Sequence, residues 1–164
     1  VEKIGRVAPF LTICGHQKRE KQQIEEYDAA RLPGSSITSH EYNLTDKIPM
    51  GIYDWSRGSG GYILGRTESN ADGSHNDRIV ALAEELSTWQ RPGGGFGCMF
   101  LNNESRCESS GSALIGLLMV RAYSISRNKK YIDAAFAVEK YLMSTTRRTG
   151  ELDYCQGDTK GIGF

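Results

Sequence analysis

The alternation of two kinds of helical segment constrains the fold of this chain more than any other feature. Segments rich in small and apolar residues are each followed by a segment in which charge surrounds a narrow apolar stripe. Breaks at Pro33, Pro92 and Gly150 close the three pairs and lie 59 and 58 residues apart. A fixed period of this size is the signature of a repeated supersecondary unit. The pattern therefore predicts three antiparallel helix hairpins.

The two segment types predict two positions in the fold. A helix that is apolar on most sides is surrounded by protein, whereas a helix with one apolar stripe lies outside. We expect inner helices near 4–15, 60–69 and 110–127, and outer helices near 18–31, 76–90 and 129–144. The stripes of the last two outer helices are Ile79, Leu82, Ala83, Leu86 and Trp89, and Ile132, Phe136, Val138 and Leu142.

This arrangement predicts an all-α fold, a helix-hairpin toroid with inner helices around a central cavity and no sheet of consequence. A tetratricopeptide-type solenoid does not fit, because its period of about 34 residues is much shorter. The chain opens almost inside an inner helix, and Gly161 falls where another would begin. We therefore expect a single domain over 1–164 that is part of a larger barrel. Its open apolar faces predict a homodimer or a missing N-terminal half.

The composition of the chain limits the classes of partner that we expect. The 20 basic residues balance the 20 acidic ones and form no basic stripe, so nucleic acid is not an expected partner. No apolar run approaches the roughly 20 residues that span a bilayer, so a membrane is not expected either. The four cysteines have neither zinc spacing nor a CxxC motif, which favours reduced thiols and a cytoplasmic location over a Cys98–Cys107 disulfide.

The stretch DWSRGSGGYILG at 54–65 places an aromatic residue and a cation before a helix start that is almost bare of side chains. One interpretation is a glycine-rich loop that leads into a core helix. The other is that the helix start lines a cavity which Trp55 and Arg57 enter. Small residues at such a start either bring neighbouring backbones close or leave room for a ligand.

Five motifs occur in order along the chain: VEKIGRVAPFL at 1–11, SHEY at 39–42, DWSRGSGGY at 54–62, GGGFGCMFLNNESRCESSGSAL at 93–114 and GELDYCQGDTKGIGF at 150–164. Together they resemble the unsaturated glucuronyl and rhamnogalacturonyl hydrolases, glycoside hydrolase families 88 and 105. The most specific parts are W-x-R-G-x-G and E-x-S-x-S-A, each at the opening of an apolar helix. The resemblance covers the whole chain and implies the C-terminal half of an (α/α)6 barrel, about three of six hairpins.

The resemblance also implies a reaction and a substrate class. Family members hydrate the C4=C5 double bond of an unsaturated uronic acid at the non-reducing end of an oligosaccharide. The enol ether is protonated at C4, water adds at C5, and the hemiketal opens to release the sugar. This chemistry needs a proton donor, a base for the water and groups that bind the carboxylate, and it requires no cofactor and no metal.

Four residues match family positions. Glu2 falls on the aspartate that is the acid/base, His40 matches a histidine that faces the sugar, and Trp55 and Arg57 match the pair that lines the pocket. Three positions depart from the family pattern: Glu2 replaces aspartate, Arg6 replaces methionine and Gly61 replaces tryptophan. The longer side chain of Glu2 would shift the carboxyl group from its catalytic position, and a cation near it would favour the ionised form over the proton-donating form.

Two functional hypotheses follow. The first is a glycosidase that takes part in polysaccharide degradation and acts on oligosaccharides that end in an unsaturated uronic acid. The second is a non-catalytic helical-repeat domain that at most binds carbohydrate. Glu108 is expected to cap a helix start rather than act as an acid. Asp153 and Asp158 could form a carboxylate pair, but the sequence does not give their geometry.

Overall fold

The protein is mostly helical. A computed structural model describes residues 4–32, 35, 37–39, 41–43, 45–50, 54–70 and 72–156. Within them lie six helices: α1 (Ile4–Ile13), α2 (Gln17–Asp28), α3 (Ser56–Glu68), α4 (Asn76–Ser87), α5 (Ser109–Ser126) and α6 (Lys129–Thr145). Strands β1 (Glu41–Asn43) and β2 (Ile48–Met50) form a small antiparallel sheet in which Tyr42 pairs with Pro49.

All six predicted helices are present, and five of them begin within a residue of the expected position. The exception is α3, which begins at Ser56, four residues before the expected start at Gly60. Its glycine-rich first turn is helical although glycine has low helix propensity. Tertiary packing overrides that propensity, because the small residues of this turn are buried against neighbouring elements.

The apolar helices occupy the centre of the contact pattern, as the sequence predicts. α3 contacts α1 on one side and α5 on the other. Ten residues of α3 are buried, including Tyr62 and Ile63, whereas only Glu20 and Ile24 are buried in α2. This contrast separates a helix enclosed by protein from one with a single buried stripe.

Two predicted hairpins are packed pairs, because α1 contacts α2 and α5 contacts α6. The remaining predicted hairpin is not a packed pair, because α4 packs mainly against α5, the first helix of the next pair, and also contacts α6, rather than packing closely on α3. The stripe of α4 is as predicted: Ile79, Leu82, Ala83 and Leu86 are buried, and the partly buried Trp89 stacks on Phe100 with ring centroids 5.6 Å apart.

The stripe predicted for α6 is partly wrong. Phe136 is 60% exposed, and the buried residues of this helix include Tyr131, Ala134, Ala135 and Val138. Positions 131, 134, 135 and 138 recur at the spacing of a single helical face, while position 136 points away from it. Phe136 therefore faces away from the buried side of α6, which carries the small residues Ala134 and Ala135.

Small residues also bring α3 and α5 close together. A Cβ added to Gly60 would lie 2.6 Å from Leu114 Cδ1, and one added to Gly111 would lie 2.7 Å from Ser56 Oγ. Both distances are shorter than side chains tolerate. The bare helix starts therefore bring neighbouring backbones close, which is one of the two roles that the sequence left open.

The two flanks of the helical layer carry exposed apolar side chains. On α1 these are Phe10 and Ile13, and on α5 they are Leu117 and Val120. The expected homodimer or added hairpins would cover such faces, and either remains a prediction. Cys14, Cys98, Cys107 and Cys155 are free thiols, so Cys98 and Cys107 are not joined by a disulfide. No helix in the described ranges is both long and apolar enough to cross a membrane.

A buried ionic network joins α2, α3 and α4 where α3 ends. Arg66 Nη2 lies 2.5 Å from both carboxylate oxygens of Asp28, and Tyr62 donates to the same carboxylate at 2.6 Å. Burial alone would raise the pKa of Asp28, but the hydrogen bonds from Tyr62 and Arg66 lower it overall. Arg66 Nη1 also lies 3.3 Å from Nδ1 of His75.

His75 predicts a loss of stability in mild acid. Burial, reinforced by the Arg66 guanidinium, lowers the pKa of His75 below its ordinary 6.5. When the pH falls below about 6.5, the unfolded chain therefore takes up a proton that the folded state resists, and the free energy of unfolding decreases. The raised pKa of Glu20 acts with the opposite sign, in a window that extends upward from its ordinary value of 4.5.

The check is the urea midpoint of unfolding between about pH 7.5 and about pH 5.5. We expect a decrease for the wild type and a flatter profile for His75→Asn, which keeps an acceptor for Arg66 but does not titrate. Parallel profiles for the two proteins would contradict this role of His75.

Candidate functional site

The candidate site lies where the N-terminal ends of α3 and α5 meet the loop before α5. The Ser56 N–H donates to the carbonyl of Cys98 at 2.9 Å, and the Phe100 N–H donates to the carbonyl of Asp54 at 3.1 Å. These bonds hold the start of α3 against the segment 96–100. The sequence places both helix starts in family-like motifs, and the structure brings the two motifs together.

Asp54 anchors the approach to α3. Its backbone adopts a left-handed conformation, with φ of 64°, and its side chain accepts a hydrogen bond from the Leu101 N–H at 2.8 Å. Aspartate tolerates this conformation better than most residues. Burial raises the pKa of Asp54, and the hydrogen bond from Leu101 opposes that change. Asp54 thus fixes the turn that delivers Trp55 and Arg57.

Trp55 lies against the first turn of its own helix. A Cβ added to Gly58 would lie 2.7 Å from Trp55 Cε3, so only glycine at position 58 leaves room for the Trp55 ring. The side chain is 3% exposed, and its indole N–H donates to the side-chain oxygen of Gln156. The indole ring therefore faces protein in this arrangement.

Arg57 is half-buried beside Trp55. Its guanidinium carbon lies 4.9 Å from the centroid of the Trp55 ring, within the range of a cation–π contact. Nη1 donates to the backbone carbonyl of Gln156 at 2.6 Å. The predicted pair of an aromatic residue and a cation is thus a physical pair.

Glu108 caps α5, as the sequence predicts. Its carboxylate accepts from the N–H groups of Ser110 and Gly111 and from Ser110 Oγ at 2.5 Å. Oε1 also accepts from the Gln156 N–H at 3.1 Å. A carboxylate that receives this many hydrogen bonds satisfies the free donors of the helix start. These contacts leave it poorly placed to donate a proton.

Gln156 is the site residue that the sequence did not identify. Its side-chain oxygen accepts from Trp55 and lies 3.3 Å from Cys98 Sγ, while its backbone contacts Arg57 and Glu108. It lies in the last quoted motif, but its residue type carries no chemical signal. Only contacts between residues far apart in the chain, 48 to 101 positions, reveal its role.

The described residues do not include the other two predicted site residues. Glu2 and His40 lie outside the described residues, and so does Asp158. Gly61 is buried within α3, where the family pattern has tryptophan, while the backbone of Arg6 belongs to α1. Asp153 pairs with Arg147 at 2.8 Å, which gives this carboxylate a structural partner.

Cys98 contacts the cluster through its thiol, because its Sγ lies 3.3 Å from the side-chain oxygen of Gln156. Burial raises its pKa, and the carboxylates of Glu108 and Asp54 act in the same direction. The thiol form is therefore favoured, which is unsuited to a nucleophile. The arrangement offers a cation beside an aromatic ring, and both side chains are in contact with Gln156.

No set of three His, Cys, Asp or Glu side chains in the described part of the chain is grouped as a metal site would require. Comparison of the chain with protein-family models, with curated proteins and with solved structures gives no match.

Proposed function

We propose that this protein is a glycosidase-like enzyme that acts on oligosaccharides ending in an unsaturated uronic acid, within an (α/α)6 barrel of which these helices form about half. The observation that supports the proposal is the contact between Trp55 and Arg57 at the start of α3, beside the start of α5. The order of the sequence motifs supports it independently.

The proposed binding mode uses charge and ring stacking. The Arg57 guanidinium pairs with the uronate carboxylate through two parallel hydrogen bonds. The N-terminus of α3 adds positive partial charge, and α3 has no side-chain cap of its own. In this mode the Trp55 ring packs on a sugar face once the Gln156 segment has moved aside.

In the proposed reaction, Glu2 donates a proton to C4 of the enol ether, and its carboxylate then assists the addition of water at C5. The hemiketal opens and releases the remaining oligosaccharide. His40 contacts the sugar. The reaction needs neither a metal nor an organic cofactor.

One observation favours the alternative, a non-catalytic domain that retains the scaffold. Trp55 is almost fully buried and its N–H is occupied by Gln156, as in a ring that serves packing. The replacements at Arg6 and Gly61 point the same way, because they alter the charge and the aromatic wall of the family pocket. In this alternative the site binds an oligosaccharide weakly or not at all.

Arg57→Ala tests the proposed binding mode. If Arg57 pairs with a desolvated carboxylate, its removal should weaken binding of an unsaturated uronyl disaccharide by about 2–5 kcal/mol in a calorimetric titration. Arg106→Ala is the matched control, because it removes an exposed cation from the neighbouring loop and should leave binding unchanged. Unfolding curves for both variants separate loss of binding from loss of fold. Equal affinities for the wild type and Arg57→Ala would contradict the binding mode.

A further inference from the structure

A polar cavity lies at the opposite end of the helices from Trp55, where α1 and α3 end and α2 and α4 begin. Its volume is about 280 Å³. All of its lining residues are polar and none is Phe, Tyr or Trp, among them Glu20, Lys21, Ser69, Asp72 and His75. It therefore offers hydrogen bonds and charge, but no surface on which a sugar ring would stack.

Two atoms in this cavity are buried without a hydrogen-bond partner in the described part of the chain. Glu20 is 8% exposed and its Oε1 is unpartnered, and Ser69 is 6% exposed with an unpartnered Oγ. Each belongs to a residue that lines the cavity. Buried polar groups in folded proteins are generally satisfied, so two such atoms around one cavity point to a ligand.

His75 supplies a donor of known orientation. The Arg66 guanidinium only donates, so His75 Nδ1, 3.3 Å from Arg66 Nη1, accepts. The neutral imidazole then carries its proton on Nε2, which lies 4.0 Å from Glu20 Oε1. This distance is too long for a hydrogen bond, so a ligand can accept from Nε2–H with one group and donate to Oε1 with another.

The charges around the cavity favour a cation. Glu20 and Asp72 line it together with one cation, Lys21. The nearby guanidinium of Arg66 is already paired with Asp28 at 2.5 Å. A single positive charge on the ligand would therefore balance the lining, and it would satisfy the unpartnered Glu20 oxygen directly.

We propose that this cavity binds a small protonated amine that also carries a hydroxyl group. The ammonium group donates to Glu20 Oε1 and to Ser69 Oγ. The ligand hydroxyl accepts from His75 Nε2–H. The site is separate from the Trp55–Arg57 cluster, and the inference does not depend on the proposed enzymatic activity.

The test is a titration of the ¹⁵N-labelled full chain with ethanolamine, followed by amide chemical shifts. We expect saturable shifts at Ser69 and His75. Ethylene glycol, which lacks the charge, and tetramethylammonium, which lacks N–H donors, should produce no saturable shift. Equal binding of ethylene glycol and ethanolamine would overturn the proposal, as would the absence of saturable binding by ethanolamine.

Two variants test the assigned contacts. Glu20→Gln should raise the dissociation constant at least about tenfold, because it removes the charge that the ammonium pairs with. Glu25→Gln is the matched control: it makes the same change at an exposed position of α2 and should leave the constant within about twofold. Unchanged affinity in Glu20→Gln would overturn the proposal.

Ser69→Ala separates a binding role from a structural one. Removal of a buried hydroxyl that has no partner should leave the ligand-free melting temperature unchanged or higher, since no hydrogen bond is lost. The same change should weaken ethanolamine binding about threefold or more, because one acceptor for the ammonium disappears. A lower melting temperature with unchanged binding would show that the hydroxyl serves the fold and would overturn its assignment to the ligand.

Discussion

Gly94→Ala should destabilise the protein by about 3 kcal/mol or more, although the change adds a single methyl group. Gly94 has φ of 91°, a conformation that residues with a side chain rarely adopt. A Cβ at this position would lie 2.0 Å from the backbone oxygen of Ala137 in α6, and that oxygen cannot move without moving the helix. Strain and steric overlap therefore act together.

The neighbouring Gly93 is a matched control. A Cβ added there would have no heavy atom within 4 Å, so Gly93→Ala should change the stability by less than about 0.5 kcal/mol. The measurement is the free energy of unfolding from urea denaturation of the three proteins. Similar values for the two variants would show that the loop before Phe96 does not pack on α6 in this way.

The contact at Gly94 matters beyond stability because it positions the loop that leads to the candidate site. Gln90 Nε2 donates to the carbonyls of Gly94 and Ala134, at 2.8 Å and 2.9 Å. Two residues further along, the Phe96 N–H donates to Ser112 Oγ at 2.8 Å. Displacement of the loop would therefore also disturb the start of α5.

Glu2→Gln should abolish turnover of an unsaturated uronyl disaccharide while leaving the helices intact. An amide cannot donate the proton that the enol ether requires at C4, and general acid catalysis contributes about 10²–10⁴-fold in rate. Glu2→Asp should retain or raise the rate, because it introduces the shorter carboxylate found in the families that the sequence resembles. Both variants should give the wild-type circular dichroism spectrum.

Full activity in Glu2→Gln would exclude Glu2 as the acid. Activity lost equally in Glu2→Gln and Glu2→Asp, with folding unchanged, would indicate that the longer carboxylate of this chain is adapted to its own site. The two substitutions together therefore distinguish a requirement for a carboxyl group from a requirement for the length of the glutamate side chain.

The helices were predictable because their apolar faces repeat at helical spacing, as Ile79, Leu82, Ala83 and Leu86 show. The start of α3 was not, because helix propensity argues against glycine and only packing against α5 reverses that preference. Phe136 shows a related limit. Phe136 is large and apolar, but its position around the helix leaves it exposed.

The site was predictable to a different degree. Trp55, Arg57 and Glu108 carry chemical character that a sequence motif displays, and the first two lie in contact with each other. Gln156 and the cavity around Glu20, Ser69 and His75 depend on residues far apart in sequence. Their roles arise from hydrogen bonds that are made or left unmade in the folded chain, which residue types alone do not specify.

The most direct test of the proposed function is the ultraviolet absorbance of the conjugated double bond in a lyase-generated unsaturated disaccharide. Hydration removes this chromophore, so we predict a steady fall in absorbance with the wild-type protein and none with Glu2→Gln. A constant absorbance with the folded wild-type protein, at concentrations where the disaccharide is shown to bind, would contradict the enzymatic assignment and leave a domain that only binds carbohydrate.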